Sequence, residues 1–66
     1  MIRIDDDKLV GTKEEAIAYF ENVLTFLKAE RYVEKVNNIL VELEKCKKYE
    51  VIIYFNAMDE DFHILD

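Results

Sequence analysis

The sequence has no proline and no serine, and among its 66 residues there is one glycine, one cysteine and one histidine. With Cys46 alone, no internal disulfide can form. With His63 alone and no Cys/His cluster, a structural zinc site is not expected. The missing serine excludes a serine nucleophile, and a single glycine excludes a glycine-rich phosphate loop. We therefore predict no enzyme activity, no cofactor and no metal.

The chain is also short. A domain of this size buries only about 60% of the surface that its unfolded chain exposes, so it lies near the lower limit for folding alone. Hydrophobic residues make up 52% of the sequence, and four Phe and four Tyr are among them. We predict a single domain spanning residues 1–66 that is stabilised by this rich core, by self-association, or by both.

Positive charge is scarce. Nine Lys and Arg face fifteen Asp and Glu, which gives a net charge of −6 and a pI near 4.7. This balance argues against direct binding of nucleic acid or of anionic membranes. No run approaches the roughly 20 apolar residues that span a bilayer, and "MIRIDDDKLV" has acids where a signal peptide is apolar. We predict a cytoplasmic protein; its Ile-, Lys- and Asn-rich, Pro-free composition suits an AT-rich genome such as that of a low-GC bacterium or its phages.

The first residues predict a strand followed by a turn and a helix. Ile2 and Ile4 alternate with polar residues, which predicts a strand over residues 1–4. Residues 5–8, "DDDK", are typical of a polar turn. Thr12 with Glu15 three residues later is a capping-box pattern, so we expect a helix to begin at Lys13.

Residues 13–48 contain neither glycine nor proline. At about 100° per residue, the apolar residues before position 28 lie on one side of a helix and those after position 32 lie on the opposite side. We therefore predict two antiparallel helices near 13–30 and 33–47, with a break at 29–32. One long helix shared between two subunits is the alternative.

The C-terminal third predicts two strands. Residues 49–56 are rich in Val, Ile, Tyr and Phe and form the longer and more central strand, and residues 62–65 return after a loop at 58–61. The predicted order is β-α-α-β-β, an α+β fold with a small antiparallel sheet and an αα-hairpin on one face. Val51, Ile53 and Phe55 would face the helices. Ile52, Tyr54 and Leu65 would lie on the other face, which nothing else in the chain is left to cover.

The remaining candidates for chemistry are weak. Cys46 and His63 could pair as nucleophile and base, but Cys46 lies on the apolar side of the second helix and is expected to be a core residue. The acidic triplets Asp5–Asp7 and Asp59–Asp61 could bind a cation only if the two loops converged. Solvated loop charge is the favoured interpretation for both.

These features predict a small acidic protein-binding module that regulates or inhibits a larger protein, as accessory proteins of phages and mobile elements do. The predicted contact surface comprises Ile52, Tyr54, Leu65, Tyr32, Asp59, Glu60 and Asp61. One alternative is a homodimer built on the same patch. A second is mimicry of DNA phosphates by the glutamates of the helices, which are Glu14, Glu15, Glu21, Glu30, Glu34, Glu42 and Glu44.

Overall fold

A computed structural model describes residues 2–65 and shows a four-stranded antiparallel sheet with two helices packed on one face. The elements in chain order are β1 (Arg3–Asp5), β2 (Lys8–Thr12), α1 (Lys13–Leu24), α2 (Glu30–Lys45), β3 (Glu50–Asn56) and β4 (Asp61–Ile64). The strands lie side by side in the order β1-β2-β3-β4. The predicted α+β class, with a helical pair on a small antiparallel sheet, is confirmed.

The prediction missed one strand. Where a single N-terminal strand over residues 1–4 was expected, the structure has a hairpin of β1 and β2; Met1 lies outside the described residues. Asp6 and Asp7 form its two-residue turn with φ of 52° and 65°, which is the signature of a type I′ turn. The segment 8–12 has a weak strand pattern of its own, and its pairing with β3 is a long-range contact that local reasoning does not see.

The helix boundaries also differ from the prediction. The break lies at residues 25–29, earlier than the predicted 29–32, because α1 ends at Leu24 and α2 already begins at Glu30. The Thr25 hydroxyl donates to the carbonyl of Asn22 at 2.7 Å, so the β-branched residue bonds locally at the point where the helix stops. Phe26, which the phase count assigned to the core side of α1, is 69% exposed in this connection.

The start of α1 is as predicted. The amide of Glu15 donates to the Thr12 hydroxyl at 3.1 Å, and the amide of Thr12 donates to the Glu15 carboxylate at 2.9 Å. This capping box satisfies two of the amides that a helix N-terminus leaves unpaired.

The core lies between the helices and the sheet. Its largest fully buried side chains come from α1, α2 and β3 and include Phe20, Ile39, Leu43 and Ile53. The rings of Phe20 and Phe62 meet edge to face, with centroids 5.1 Å apart, so β4 is also tied to the helical layer. Because β3 lies between β2 and β4, the predicted central position of this strand is confirmed.

The two hairpin turns lie at the same end of the sheet. Lys8 pairs with Tyr54, and Asn56 pairs with Asp61, so the Asp6–Asp7 turn and the 57–60 turn are on one side, which we name the turn end. The connection between the helices and the start of α2 lie at this end as well, since Arg31 pairs with Glu60. The C-terminus of α2, with its lysines, lies at the opposite end.

Candidate functional site

The face of the sheet opposite the helices forms the candidate site, which we name the open face. Strand alternation and the register assign its residues in two rows. One row contains Arg3, Val10, Ile52 and Leu65, and the other contains Asp5, Lys8, Tyr54 and His63. Both helices pack on the other face, which carries Val51 and Ile53. Among residues 2–65, no helix or strand packs on the open face.

Apolar side chains hold the centre of the open face. Val10, Ile52 and Tyr54 are half-buried, and Leu65 is 41% exposed. None of these four belongs to the core or to the residues packed against it. The structure therefore brings together three of the predicted contact residues, Ile52, Tyr54 and Leu65, on one surface.

The prediction missed the part of this surface that β2 and β1 supply. Val10 lies beside Ile52, and Lys8 lies beside Tyr54. The alternation of Lys8, Val10 and Thr12 with Leu9 and Gly11 is the signal that could have identified them, but the segment is short and includes the glycine.

Tyr54, His63 and Asp59 form a chain of contacts at the edge of the open face. The rings of Tyr54 and His63 lie with centroids 5.5 Å apart and are tilted by 32°. His63 Nε2 donates to Asp59 Oδ2 at 2.7 Å, and the Asp61 amide donates to Asp59 Oδ1 at 3.0 Å. Desolvation raises the pKa of Asp59, but the hydrogen bond from His63, that from the Asp61 amide and the attraction of His63 together outweigh it, so the pKa of this carboxyl is lowered.

The other two acids predicted for partner contact already have partners within the chain. Glu60 pairs with Arg31 at the start of α2. Asp61 Oδ1 lies 3.3 Å from Lys35 Nζ, one helical turn further on. These pairs dock the first turns of α2 on the β3–β4 turn. Exposed pairs of this kind are worth little to stability, so their carboxylates remain exchangeable with charges on another protein.

Tyr32 does not join the open face. It lies in the first turn of α2, on the helical layer, and the Arg31 guanidinium is 5.3 Å from its ring centroid. The predicted contact residues thus divide into an open-face group, an acidic group at the turn end, and Tyr32 on the other side of the molecule.

A second concave feature runs between α2 and β4, and we name it the edge groove. It consists of two adjoining hollows of about 400 and 340 Å³ that share Ile39, Glu42, Phe62 and His63. Cys46 also lines it, half-buried at the C-terminal cap of α2. Cys46 and His63 both line one hollow, but the His63 ring lies on the open face beside Tyr54 and its Nε2 bonds to Asp59. Within residues 2–65, no three His, Cys, Asp or Glu are grouped so as to hold a metal ion.

Comparison of the chain with family models, with curated proteins and with solved structures finds no match. In the described part of the chain, neither helix has the length and apolar character needed to cross a membrane. The chemistry of the open face, the turn end and the edge groove is therefore the basis on which function is inferred.

Proposed function

We propose that the protein is a small cytoplasmic protein-binding module whose open face docks on a larger protein that it regulates or inhibits. One observation carries the proposal: Val10, Ile52, Tyr54 and Leu65 lie together outside the core, on a face that no described element covers. Apolar side chains gathered on one exposed surface often mark an interaction site.

The composition of the open face suits a protein partner. Its apolar centre includes Tyr54, a residue type enriched at binding hot spots. Charged residues surround that centre: Arg3 and Lys8 lie in its two rows, together with Asp5. An apolar centre with a charged rim is the usual anatomy of a protein–protein interface.

The net charge of −6 favours a partner whose surface is positively charged. Carboxylates dominate both hairpin turns at the turn end, at Asp5–Asp7 and at Asp59–Asp61. A basic surface next to the docking site would be attracted to this end, and such complementarity raises the association rate and favours correct partners.

The experiment is affinity capture from the native cytoplasm with the wild-type chain and two matched variants. Tyr54→Asp places a charge in the apolar centre of the open face. Tyr49→Asp makes the same change at a tyrosine that precedes β3 and is 74% exposed. We expect Tyr54→Asp to lose the partner and Tyr49→Asp to retain it, with both variants folded by circular dichroism. If a folded Tyr54→Asp variant captures the same partner as the wild type, the open face is not the docking surface.

A homodimer through the open face is a second candidate. The face carries both signs of charge, with Arg3 and Lys8 beside Asp5, so two copies related by a two-fold axis could pair opposite charges. Sedimentation over a concentration series tests this candidate. A strictly monomeric protein at the highest concentration removes it, and a dimer that Tyr54→Asp dissociates supports it.

Mimicry of nucleic acid by the glutamates of the helices is a third candidate, and the acids of the turn end would add to such a surface. It requires binding that weakens steeply with salt, because exposed charges are screened. It also requires that DNA compete with the protein for its partner. Binding that is insensitive to salt and to added DNA would exclude mimicry and would favour docking through the apolar centre.

A further inference from the structure

The outer edge of β4 presents unpaired backbone groups. The Leu65 amide donates to the carbonyl of Ile52 at 2.7 Å, and Tyr54 pairs with His63 in the same ladder. In an antiparallel pair, alternate residues of a strand bond to the neighbouring strand and the residues between them direct their N–H and C=O groups outward. Residues 61, 63 and 65 thus face β3, and Phe62 and Ile64 direct their backbone groups to the free edge.

The edge groove lies directly beside these groups. Its floor is apolar, with Ile39 from α2 and with Phe62 and Ile64 from β4. Polar side chains of α2 line its wall at Asn38, Glu42 and Lys45. A strand added to β4 would therefore project every second side chain into a hollow lined in part by apolar groups.

On the opposite side of such a strand lies the carboxylate of Asp59. His63 lies on the side of β4 that faces away from the helices, and Asp59 is held against His63. The neighbouring Asp61 carboxylate reaches Lys35 on α2 instead. The side chains of an added strand that point away from the groove would pass Asp59, and basic residues at those positions would be attracted to it.

We propose that the edge of β4 and the edge groove bind an extended segment of a partner protein, which adds to the sheet as a fifth strand. The segment has apolar residues at alternate positions, which enter the groove, and basic residues between them, which face Asp59. This mode of recognition takes affinity from backbone hydrogen bonds and specificity from alternate side chains. The inference rests on the proposed function in that the partner is a protein, but it uses a different surface from the open face.

Charge favours a basic partner over a second copy of the chain. Each copy carries a net charge of −6, so pairing two β4 edges would bring two molecules of like charge into contact. The other free edge of the sheet is a poorer site. Among the described elements, β1 packs only on β2, so an added strand there would have no helix beside it.

The test uses an eight-residue peptide of alternating valine and lysine, blocked at both termini, in an NMR titration of the folded protein. We expect the largest amide shifts at Phe62 and Ile64 and slower exchange of both amides. The matched peptide of alternating valine and glutamate should bind at least about tenfold more weakly, since each lost charge pair changes the binding constant severalfold. Equal binding of the two peptides, or shifts centred on Tyr54 and Ile52, would overturn the proposal.

Two pairs of variants make the test specific. Val41 lies in the groove lining and is 47% exposed, so Val41→Lys should repel the basic peptide without affecting the core. Asn37→Lys introduces the same charge on α2 but outside the groove lining, and this variant should bind the basic peptide normally. Both Ile64→Pro and Ile64→Ala remove most of the isoleucine side chain. Only the proline variant also removes the outward backbone amide. We expect the proline variant to bind roughly fivefold more weakly than the alanine variant.

If Ile64→Pro does not fold, Val41→Lys still tests the proposal. Undiminished binding by folded Val41→Lys would overturn the proposal. So would a dimer of the protein that Val41→Lys dissociates, because the occupant would then be a second copy. The two proposals can fail separately. If Tyr54→Asp loses the native partner but the peptide does not bind the wild-type protein, the proposed function stands and this inference is refuted.

Discussion

The ring of Phe20 in α1 lies edge to face against the ring of Phe62 in β4, with centroids 5.1 Å apart. The contact joins the first helix to the last strand of the sheet. Phe62 also meets the ring of Phe55 in β3 at 5.1 Å. These three rings therefore connect elements that are distant in the sequence.

Replacing Phe20 by alanine should cost a large part of the stability. Phe20 is 2% exposed, and truncation of a buried phenylalanine costs about 3–5 kcal/mol. A domain of this length has a free energy of unfolding of only about 3–10 kcal/mol. We expect Phe20→Ala to be largely unfolded or to show a much lower midpoint in urea.

Phe26→Ala is the matched control, because the same side chain is lost at an exposed position. We expect its free energy of unfolding to stay within about 0.5 kcal/mol of the wild type. Similar losses for the two variants would mean that Phe20 does not occupy the core position described above.

The contribution of the capping box to the free energy of unfolding should be measurable in the same way. Thr12→Ala removes the hydroxyl that accepts the Glu15 amide, and we expect a loss of about 1 kcal/mol. Thr25→Ala removes a hydroxyl that donates to the Asn22 carbonyl at the other end of α1; we expect a smaller loss, within about 0.5 kcal/mol. Equal effects in urea unfolding would contradict the role of Thr12.

Close packing around Gly11 leaves little room for a side chain. A Cβ atom there would lie 3.1 Å from Glu15 Oε1 and 3.3 Å from Ile2 Cα. Gly11→Ala should therefore displace the capping carboxylate and cost about 1 kcal/mol. Because this variant and Thr12→Ala weaken the same cap, the double variant should lose less than the sum of the two. Strict additivity in the free energy of unfolding would show that the added methyl acts elsewhere.

The Asp59–His63 contact predicts a dependence of stability on pH. The pKa of Asp59 is lowered from 3.8 in the folded protein, so the folded state favours the ionised carboxyl. Its contribution to stability is complete above the unfolded pKa and is lost as the pH falls through the lower folded pKa. In His63→Phe, which keeps a ring beside Tyr54 but has no donor, we expect the pKa of Asp59 to rise toward its ordinary value.

NMR titration of the Asp59 carboxyl carbon measures this change. Tyr54→Phe is the control, since it keeps the ring beside His63 and both partners of the hydrogen bond and removes only the tyrosine hydroxyl. A pKa of Asp59 that is the same in His63→Phe and in the wild type would show that the histidine does not hold the carboxylate.

Local sequence patterns predicted most of the fold. Thr12 and Glu15 predicted the start of α1 because a capping box uses residues within one helical turn. The alternation in β3 correctly assigned Val51 and Ile53 to the helical side. Phe55, assigned to the same side, lies against Phe62 but is 42% exposed. The reversal of the apolar side between the two helices correctly predicted a break, although it placed the break too late.

The parts that were missed depend on contacts between distant residues. β2 is a strand because Leu9 and Val10 pair with Ile53 and Ile52, more than forty positions away in the numbering. The partners of Glu60 and Asp61 lie on α2, and nothing in the turn sequence indicates them. The edge groove forms between α2 and β4, so no single segment predicts it.

The acids at the turn end have a consequence for how the molecule moves toward another. The carboxylates of both turns lie at one end of the sheet, while Lys45 ends α2 and Lys47 and Lys48 follow it at the other end. Six of the fifteen acids of the chain thus lie in or beside two short turns. A positively charged body would attract this cluster, so that first collisions with it would be biased toward one orientation.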